Sequence, residues 1–226
     1  MATSTDARTR LLDAAGEIFA EKGFSATTVR EICRTAEANI AAVSYYFGDK
    51  NGLYVEAVKH AHACRFSEPL PQWPRGTPPE RKLREFIGGM LRHLLDPEQP
   101  AWNAQLMMRE LAQPTAACKA ITEQYIRPMT LVLQGILREI MPRGASLERV
   151  QMTCFSVVGQ CLFYRVHEPV AKELVGVQKY EQFTVDRLAD HIAGFTLAAL
   201  EQKPPRNSSK IRSSSVASSS VSERKS

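Results

Sequence analysis

The sequence lacks long apolar runs. No stretch of eighteen residues is free of charged side chains, and the opening "MATSTDARTR" has no apolar core of the kind a secretion signal carries. A membrane-spanning helix needs about 20 predominantly apolar residues, and a signal peptide needs an apolar segment near its start. We therefore expect no membrane association and predict a cytoplasmic protein.

Cysteines and enzyme motifs are also scarce. The five cysteines are odd in number and include no C-x-x-C pair, which disfavours a disulfide framework or a zinc cage and favours reduced thiols in the core. The chain has no G-x-S-x-G, no glycine-rich phosphate loop and no H-E-x-x-H. We expect no enzymatic activity, no cofactor and no metal.

The positive charge is unevenly placed. The net charge is +5, and residues 203–226 carry six lysines and arginines against one glutamate, so the remainder of the chain is neutral. This segment also holds ten serines and few apolar residues, which predicts a disordered, Ser-rich basic tail. Two interpretations of the tail remain open, a solubilising extension and a non-specific phosphate-binding arm. Evidence for DNA binding must come from elsewhere.

Helical patterns fill the first sixty residues. Apolar residues recur every three or four positions up to "EKGF", whose glycine predicts the end of a first helix. Thr28 and Glu31 form a capping box for a second helix, and Asn39 is a good N-cap for a third. Two short helices joined by a turn of a few residues predict a helix-turn-helix over residues 28–47, whose second helix enters the major groove of DNA.

A proline-rich boundary at residues 67–80 precedes a second helical domain. No alternating strand pattern appears, so the predicted fold class is all-α. We predict an N-terminal helix-turn-helix domain of three helices within residues 6–66 and a C-terminal helical domain over residues 77–202. Its predicted helices cover residues 79–95, 101–112, 114–141 with a kink at Pro128, 146–168 and 183–202.

The spacing around the helix-turn-helix matches a known pattern. The matching positions are Ile32, Ala36, Val43, Ser44, Tyr46, Phe47, Lys50 and Leu53. Over residues 8–63 the chain resembles the DNA-binding domain of the TetR family of bacterial transcriptional regulators. The later "MMRELAQPT" and "YIRPM" resemble a subfamily with a poorly characterised C-terminal domain, linked to responses to drugs and toxic compounds. The resemblance implies a homodimeric repressor that a small apolar or amphipathic effector releases from double-stranded operator DNA.

The third helix has two different faces. Val43 and Phe47 are four residues apart and are predicted to anchor it to the core. The opposite face carries short, uncharged side chains, which suit contact with base edges, although a plain solvated face is the alternative. The predicted DNA-binding residues are Thr28, Arg30, Asn39, Ile40, Ala41, Ala42, Ser44, Tyr45, Tyr46 and Lys50.

Some of these residues are predicted to contact phosphates. A cation such as Lys50 in the first turn of a helix opposes the helix dipole unless an anion binds there. Tyr46 lies between the two faces, where its ring packs while its hydroxyl reaches a phosphate. Glu37 departs from the family, which usually has glycine at this turn. If the position requires a left-handed backbone, the strain is on the order of 1 kcal/mol, and Glu37→Gly is predicted to stabilise the fold.

The C-terminal helices are predicted to bind a ligand and a second subunit. Apolar residues of the last two long helices suit either a dimer surface or the core, and the resemblance implies a four-helix dimer interface. These residues are Phe155, Val158, Leu162, Val166, Ile192, Phe195, Leu197, Ala199 and Leu200. In the middle helices, apolar side chains mixed with a few polar ones suit a small-molecule pocket, although such stripes also form ordinary cores. The predicted pocket residues are Trp102, Met107, Met108, Arg109, Tyr125, Met129, Gln160, Phe163 and His167.

Two other classes of protein remain open on the sequence alone. His60, His62 and Cys64 form a compact cluster that would suit a metal sensor. An all-helical protein-interaction module, with the helix-turn-helix as a scaffold, is the second alternative.

Overall fold

The structure, a computed structural model, describes residues 4–63 and 70–201. Within these ranges the chain forms helices and no strand, which confirms the all-α prediction. The predicted tail at 203–226 and Cys64 lie outside the described residues. The helices are α1 (Ser4–Ala26), α2 (Val29–Thr35), α3 (Ile40–Phe47), α4 (Lys50–Ala63), α5 (Pro79–Leu94), α6 (Ala101–Ala112), α7 (Ala116–Ile121), α8 (Arg127–Ile140), α9 (Leu147–Val166), α10 (Glu168–Val175), α11 (Val177–Tyr180) and α12 (Val185–Glu201).

The predicted helix ends are set by the residues that the sequence indicated. The Thr28 hydroxyl accepts a hydrogen bond from the Glu31 amide at 3.2 Å, and the Glu31 carboxylate interacts in turn with the Thr28 backbone. The Asn39 side chain accepts from the Ala41 amide at 2.9 Å. Helix α1 is interrupted at Gly23, whose φ of 79° lies in the region that glycine tolerates. These contacts hold α2 and α3 in a helix-turn-helix against α1.

The helices after α6 differ in detail from the predicted pattern. The single helix predicted over 114–141 is divided into α7, a π-helical turn at Thr122–Ile126, and α8. Pro128 follows this turn, and because proline has no N–H and crowds the preceding turn, a regular α-helix cannot continue through it undisturbed. Between the helices predicted over 146–168 and 183–202, the structure also contains α10, with Pro169 in its first turn. Proline is well tolerated there.

The helices enclose two apolar cores. The first core lies among α1 to α4 and also takes Leu106 and Met107 from α6 and Ile121 from α7. The second lies among α5, α8, α9 and α12. Helices α6 and α7 thus follow the proline-rich boundary in sequence but pack on the helix-turn-helix domain. Among the described residues, no helix combines the length and apolar character needed to cross a membrane.

Candidate DNA-reading face and ligand cavity

Helix α3 presents one buried and one exposed face, as its pattern predicted. Val43 and Phe47 are buried in the first core. On the other side, Tyr45 is 80% exposed and Ile40 is 48% exposed. The Tyr45 ring contacts only the edge of the Tyr46 ring among the described aromatic groups, at 4.9 Å between centroids. These two side chains contribute little to the core, so this face is available to a partner.

The remaining predicted DNA contacts surround this face. Ala41 and Ser44 are exposed beside Tyr45, and Ala42 and Tyr46 are half-buried at the edge of α3. Arg30 is exposed on α2. Thr28 and Asn39 use one oxygen each to cap their helices. The Thr28 hydroxyl hydrogen and the Asn39 amide group remain as donors that suit phosphate oxygens.

Lys50 is held at the start of α4 by an aromatic ring. Its Nζ lies 4.5 Å from the centroid of the Phe24 ring, a cation–π distance. No carboxylate among the described residues forms a salt bridge with it. The adjoining Asp49 side chain accepts from the Gly52 amide at 2.8 Å and so caps the helix. Lys50 is therefore positioned without having its charge neutralised.

The turn between α2 and α3 contains a strained residue. Glu37 has a φ of 49° and is the one non-glycine residue with positive φ in the described part of the chain. It is exposed and forms no salt bridge with Arg34 there. The turn is fixed by a hydrogen bond from the Ala38 amide to the Cys33 carbonyl at 2.9 Å, and by Arg10, whose Nε donates to the Ala36 carbonyl at 3.0 Å.

Helix α6 grips the end of α1. The Arg109 guanidinium donates to the backbone carbonyls of Ala20 at 2.6 Å and Glu21 at 2.7 Å. Seven residues before Arg109 on the same helix, the Trp102 ring lies very close to Gly16. A Cβ added at Gly16 would be 2.2 Å from a carbon of this ring. Glycine at position 16 is what allows α1 and α6 to approach this closely.

A buried carboxylate joins α6 to α4. Glu110 is fully buried and accepts hydrogen bonds from the Tyr54 hydroxyl at 2.8 Å and from the amides of Thr115 at 2.7 Å and Cys118 at 2.8 Å. Burial, together with this carboxylate, raises the pKa of Tyr54 well above its ordinary value. The phenol therefore stays protonated and remains a donor to Glu110.

A cavity of about 580 Å³ lies on the other side of α6. Four predicted pocket residues line it: Met107, Met108, Tyr125 and Met129. The wall is completed mainly by apolar side chains of α5, α8 and α9. These are Phe86, Met90, Leu94, Leu133, Val158, Leu162 and Val166, and they are joined by Leu111 of α6 and Ile126 of the π-helical turn.

The other five predicted pocket residues lie outside this cavity, for identifiable reasons. Trp102 and Arg109 project from α6 toward α1, as described above. The Gln160 side chain donates back to the Ser156 carbonyl of its own helix at 3.2 Å. The exposed Phe163 ring stacks on His167 at 5.1 Å, on a face of α9 turned away from the cavity lining.

The cavity residues that were not predicted from the sequence include one at the end of α4 and two that are charged. His62 lines the cavity from the end of α4 and stacks on Tyr125 at 4.8 Å, so a helix of the DNA-binding domain contributes to the wall. Arg165 and Glu168 line it from the end of α9 and the start of α10. A pattern of period 3.6 identifies faces within one helix but does not reveal which neighbouring helix each face meets.

Part of the predicted dimer surface is exposed and part is not. Phe155 of α9 is 68% exposed and Phe195 of α12 is 60% exposed. By contrast, Val158 and Leu162 point to the cavity, and Ile192 is in the second core.

The histidine cluster does not come together as a metal site in the described residues. His60 Nε2 is 2.9 Å from Asp13 Oδ1, whereas His62 faces Tyr125. No group of three histidine, cysteine or acidic side chains within residues 4–63 and 70–201 is arranged to hold a metal ion.

A helix-turn-helix with an exposed reading helix, joined through one helix to an apolar cavity, defines an all-helical transcription regulator. Residues 11–57 match the family of bacterial regulatory proteins named tetR, and residues 79–200 match the family described as the C-terminal domain of the HTH-type transcriptional dual regulator CecR. The chain belongs to the TetR family and carries a CecR-type C-terminal domain. Members of this family are transcription regulators, and the chain is not an enzyme.

Individual relatives agree with this assignment. The dual regulator CecR of Shigella flexneri is 30% identical over 177 residues, which are 71% of this chain and 76% of that protein. The transcriptional repressor NicS of Pseudomonas putida is 26% identical over 61% of this chain and 62% of its own.

Solved structures show the same fold. A transcriptional regulator from Rhodococcus sp. Rha1 superposes with a TM-score of 0.60 at 20% identity, covering 87% of this chain and 99% of that one. AibR, crystallised with isovaleryl coenzyme A and operator DNA, superposes with a TM-score of 0.57 at 14% identity, covering 84% of this chain and 97% of its own.

Proposed function

We propose that this protein is a homodimeric repressor that is released from its operator when a small molecule occupies the cavity beside α6. The observation that carries the proposal is the position of α6. Met107 and Met108 line the cavity, while Arg109 and Glu110 of the same helix bond to α1 and α4. TetR-family regulators bind operator DNA and act as dimers.

The proposed DNA contacts divide into two kinds. Ser44 and Tyr45 are exposed on the reading face of α3, where a hydroxyl pairs with base donors or acceptors and an apolar ring contacts a thymine methyl. Lys50 carries an unneutralised charge at the start of α4 and suits a phosphate. Arg30, Thr28 and Asn39 are proposed to contact the backbone on either side. We propose a cytoplasmic location, because the proposed target is operator DNA on the chromosome.

Dimerisation is proposed to use α9 and α12. One recognition helix reads few base pairs, so specific binding takes two, about one turn of DNA apart. The exposed rings of Phe155 and Phe195 are costly to leave in water and are available to a second copy. A ligand that favours one orientation of the two subunits would change the separation of their reading helices and so shift the population away from the bound state.

The coupling route follows from the contacts of α6. A ligand that displaces Met107 or Met108 moves the helix whose Arg109 holds the end of α1. The same displacement acts on Glu110, which holds Tyr54 of α4. His62 at the far end of α4 lies in the cavity wall itself. Ligand occupancy is therefore proposed to act on the DNA-binding helices from two points. AibR, which binds an acyl coenzyme A and operator DNA in one structure, is a fold relative in which both partners are present.

Binding of the purified protein to the DNA upstream of its own gene tests the proposed DNA contacts. Lys50→Ala is expected to weaken binding to all sequences alike and to lower the slope of log affinity against log salt by about 1. Ser44→Ala is expected to change which bases are preferred. Lys59→Ala is the matched control, because Lys59 lies on the same helix but pairs with Glu56 at 2.9 Å. Loss of binding in the control equal to that in Lys50→Ala would contradict the assignment.

A further inference from the structure

Arg165 and Glu168 are the two side chains in the described cavity lining that carry a formal charge, and only one of them is neutralised. Glu168 is 2.7 Å from the Lys172 ammonium, so its charge is paired within α10. Arg165, in the last turn of α9, forms no salt bridge or side-chain hydrogen bond with the described residues. The cavity therefore retains one uncompensated positive charge.

The position of Arg165 makes this charge significant. The side chain is half-buried at the cavity wall rather than extended into solvent. A guanidinium that has lost part of its hydration and gained no partner is unfavourable, whereas a carboxylate or phosphate bonds it through two parallel N–H groups. An anion placed in the cavity would supply the missing partner.

The rest of the wall suits an apolar chain or ring. Met90, Met107, Met108 and Met129 all line the cavity. Methionine side chains are flexible and polarizable, so they adjust to apolar ligands of different shapes. A volume of about 580 Å³ falls within the range of sites that hold drug-sized molecules.

We propose that the effector class of this protein is an amphipathic anion, with a carboxylate or phosphate paired to Arg165 and an apolar part against the cavity methionines. The inference rests on the proposed function, because it names the ligand chemistry of the same cavity. It assigns Arg165 as the specificity-determining residue. The ligand it describes is narrower than a generally apolar effector. A neutral amphiphile of equal chain length supplies no charge partner for Arg165 and binds more weakly, and a cationic one is repelled.

Calorimetric titration with probes that share one ten-carbon chain tests the charge preference. The probes are decanoate, decyl phosphate, decanol and decyltrimethylammonium, used below their micelle concentrations at neutral pH. The wild-type protein is expected to bind at least one of the two anions about tenfold or more tighter than decanol, as expected for a hydrogen bond to a charged group. The ammonium probe is expected to bind more weakly than decanol. Comparison of the two anions distinguishes a carboxylate effector from a phosphate one.

Three variants test whether Arg165 causes the preference for anionic probes. Arg165→Met keeps the apolar stem and is expected to bind decanol as the wild type does while losing the preference for anions. Arg165→Lys keeps the charge and is expected to retain most of that preference. Arg149→Met is the matched control, since Arg149 lies on the same helix outside the cavity lining. Unfolding curves for all variants establish that each is folded.

Several results would overturn the inference. These are equal or tighter binding of decanol or the ammonium probe by the wild type, an unchanged anion preference in Arg165→Met, or no binding of any probe. Operator affinity measured with and without the bound anion is a separate outcome. If decanoate binds through Arg165 but leaves operator affinity unchanged, the ligand chemistry stands and release by the effector is refuted.

Discussion

Removal of the Tyr54 hydroxyl offers a sharp test of the junction between the two cores. Tyr54 is buried in α4, and its hydroxyl donates to the Glu110 carboxylate of α6 at 2.8 Å. In Tyr54→Phe the carboxylate keeps its bonds from α7 but loses this one. A hydrogen bond to a charged group contributes about 1.5–3 kcal/mol. For a chain of this size, each kcal/mol lowers the melting temperature by about 2–4 °C.

Urea unfolding followed by circular dichroism at neutral pH measures the loss. Tyr45→Phe is the matched control, because its hydroxyl is on an exposed ring and its removal should change stability by less than about 0.5 kcal/mol. In a double-mutant cycle, Tyr54→Phe should cost clearly less when Glu110 is already Gln, since the charged acceptor is gone. A Tyr54→Phe midpoint equal to that of the wild type would refute the view that this bond joins α4 to α6.

Three further perturbations follow from the local geometry. Glu37→Gly should relieve the strained backbone at φ 49° and raise the free energy of unfolding by up to about 1 kcal/mol. Glu37→Gln should leave the stability unchanged. A lower melting temperature for the glycine variant would contradict this. Gly52→Ala would place a Cβ 2.0 Å from the carbonyl oxygen of Phe47 and should cost about 1–3 kcal/mol in thermal melts, while Gly135→Ala, in open space on α8, should be neutral or stabilising. Burial raises the pKa of Cys161 to about 12, so the unfolded thiol ionises first and stability should fall as pH rises above about 9, by about 1.4 kcal/mol per pH unit. Burial also raises the pKa of Cys154, to about 11, so that thiol adds to the fall. Cys161→Ala should therefore make the fall between pH 9 and 11 shallower by about 1.4 kcal/mol per pH unit, and an unchanged slope would argue against it.

The helix-turn-helix was predictable because its signals are local. Thr28 and Asn39 cap helices through atoms two or three residues away, so the sequence alone contains both partners of each bond. The two faces of α3 follow from one helix period, which placed Val43 in the core and Tyr45 in solvent. The strained backbone at Glu37 was expected from the family pattern, in which glycine occupies this turn.

The cavity was less predictable because it depends on contacts between distant helices. Trp102 and Met107 both belong to α6. The Trp102 side chain lies against Gly16 of α1, whereas Met107 lies in the first core and the cavity wall. Sequence periodicity does not predict this difference. Arg165 gave no signal in the sequence, since a single arginine near a helix end is ordinary. Arg165 is notable because no carboxylate among the described residues forms a salt bridge with it, and this is visible only in the folded structure.

The central claim is that the state of the cavity reaches the DNA-reading helices through α6. Ala104 lines the cavity from α6, and Ala104→Trp would fill part of the space with a ring, while Ala101→Trp adds the same ring at an exposed position of the same helix outside the lining. The most direct measurement is the affinity of both variants and the wild type for the upstream DNA, by fluorescence anisotropy at one stated salt concentration. The account predicts that Ala104→Trp changes affinity by about fivefold or more, with Ala101→Trp unchanged. Equal affinities for all three folded, dimeric proteins would contradict it.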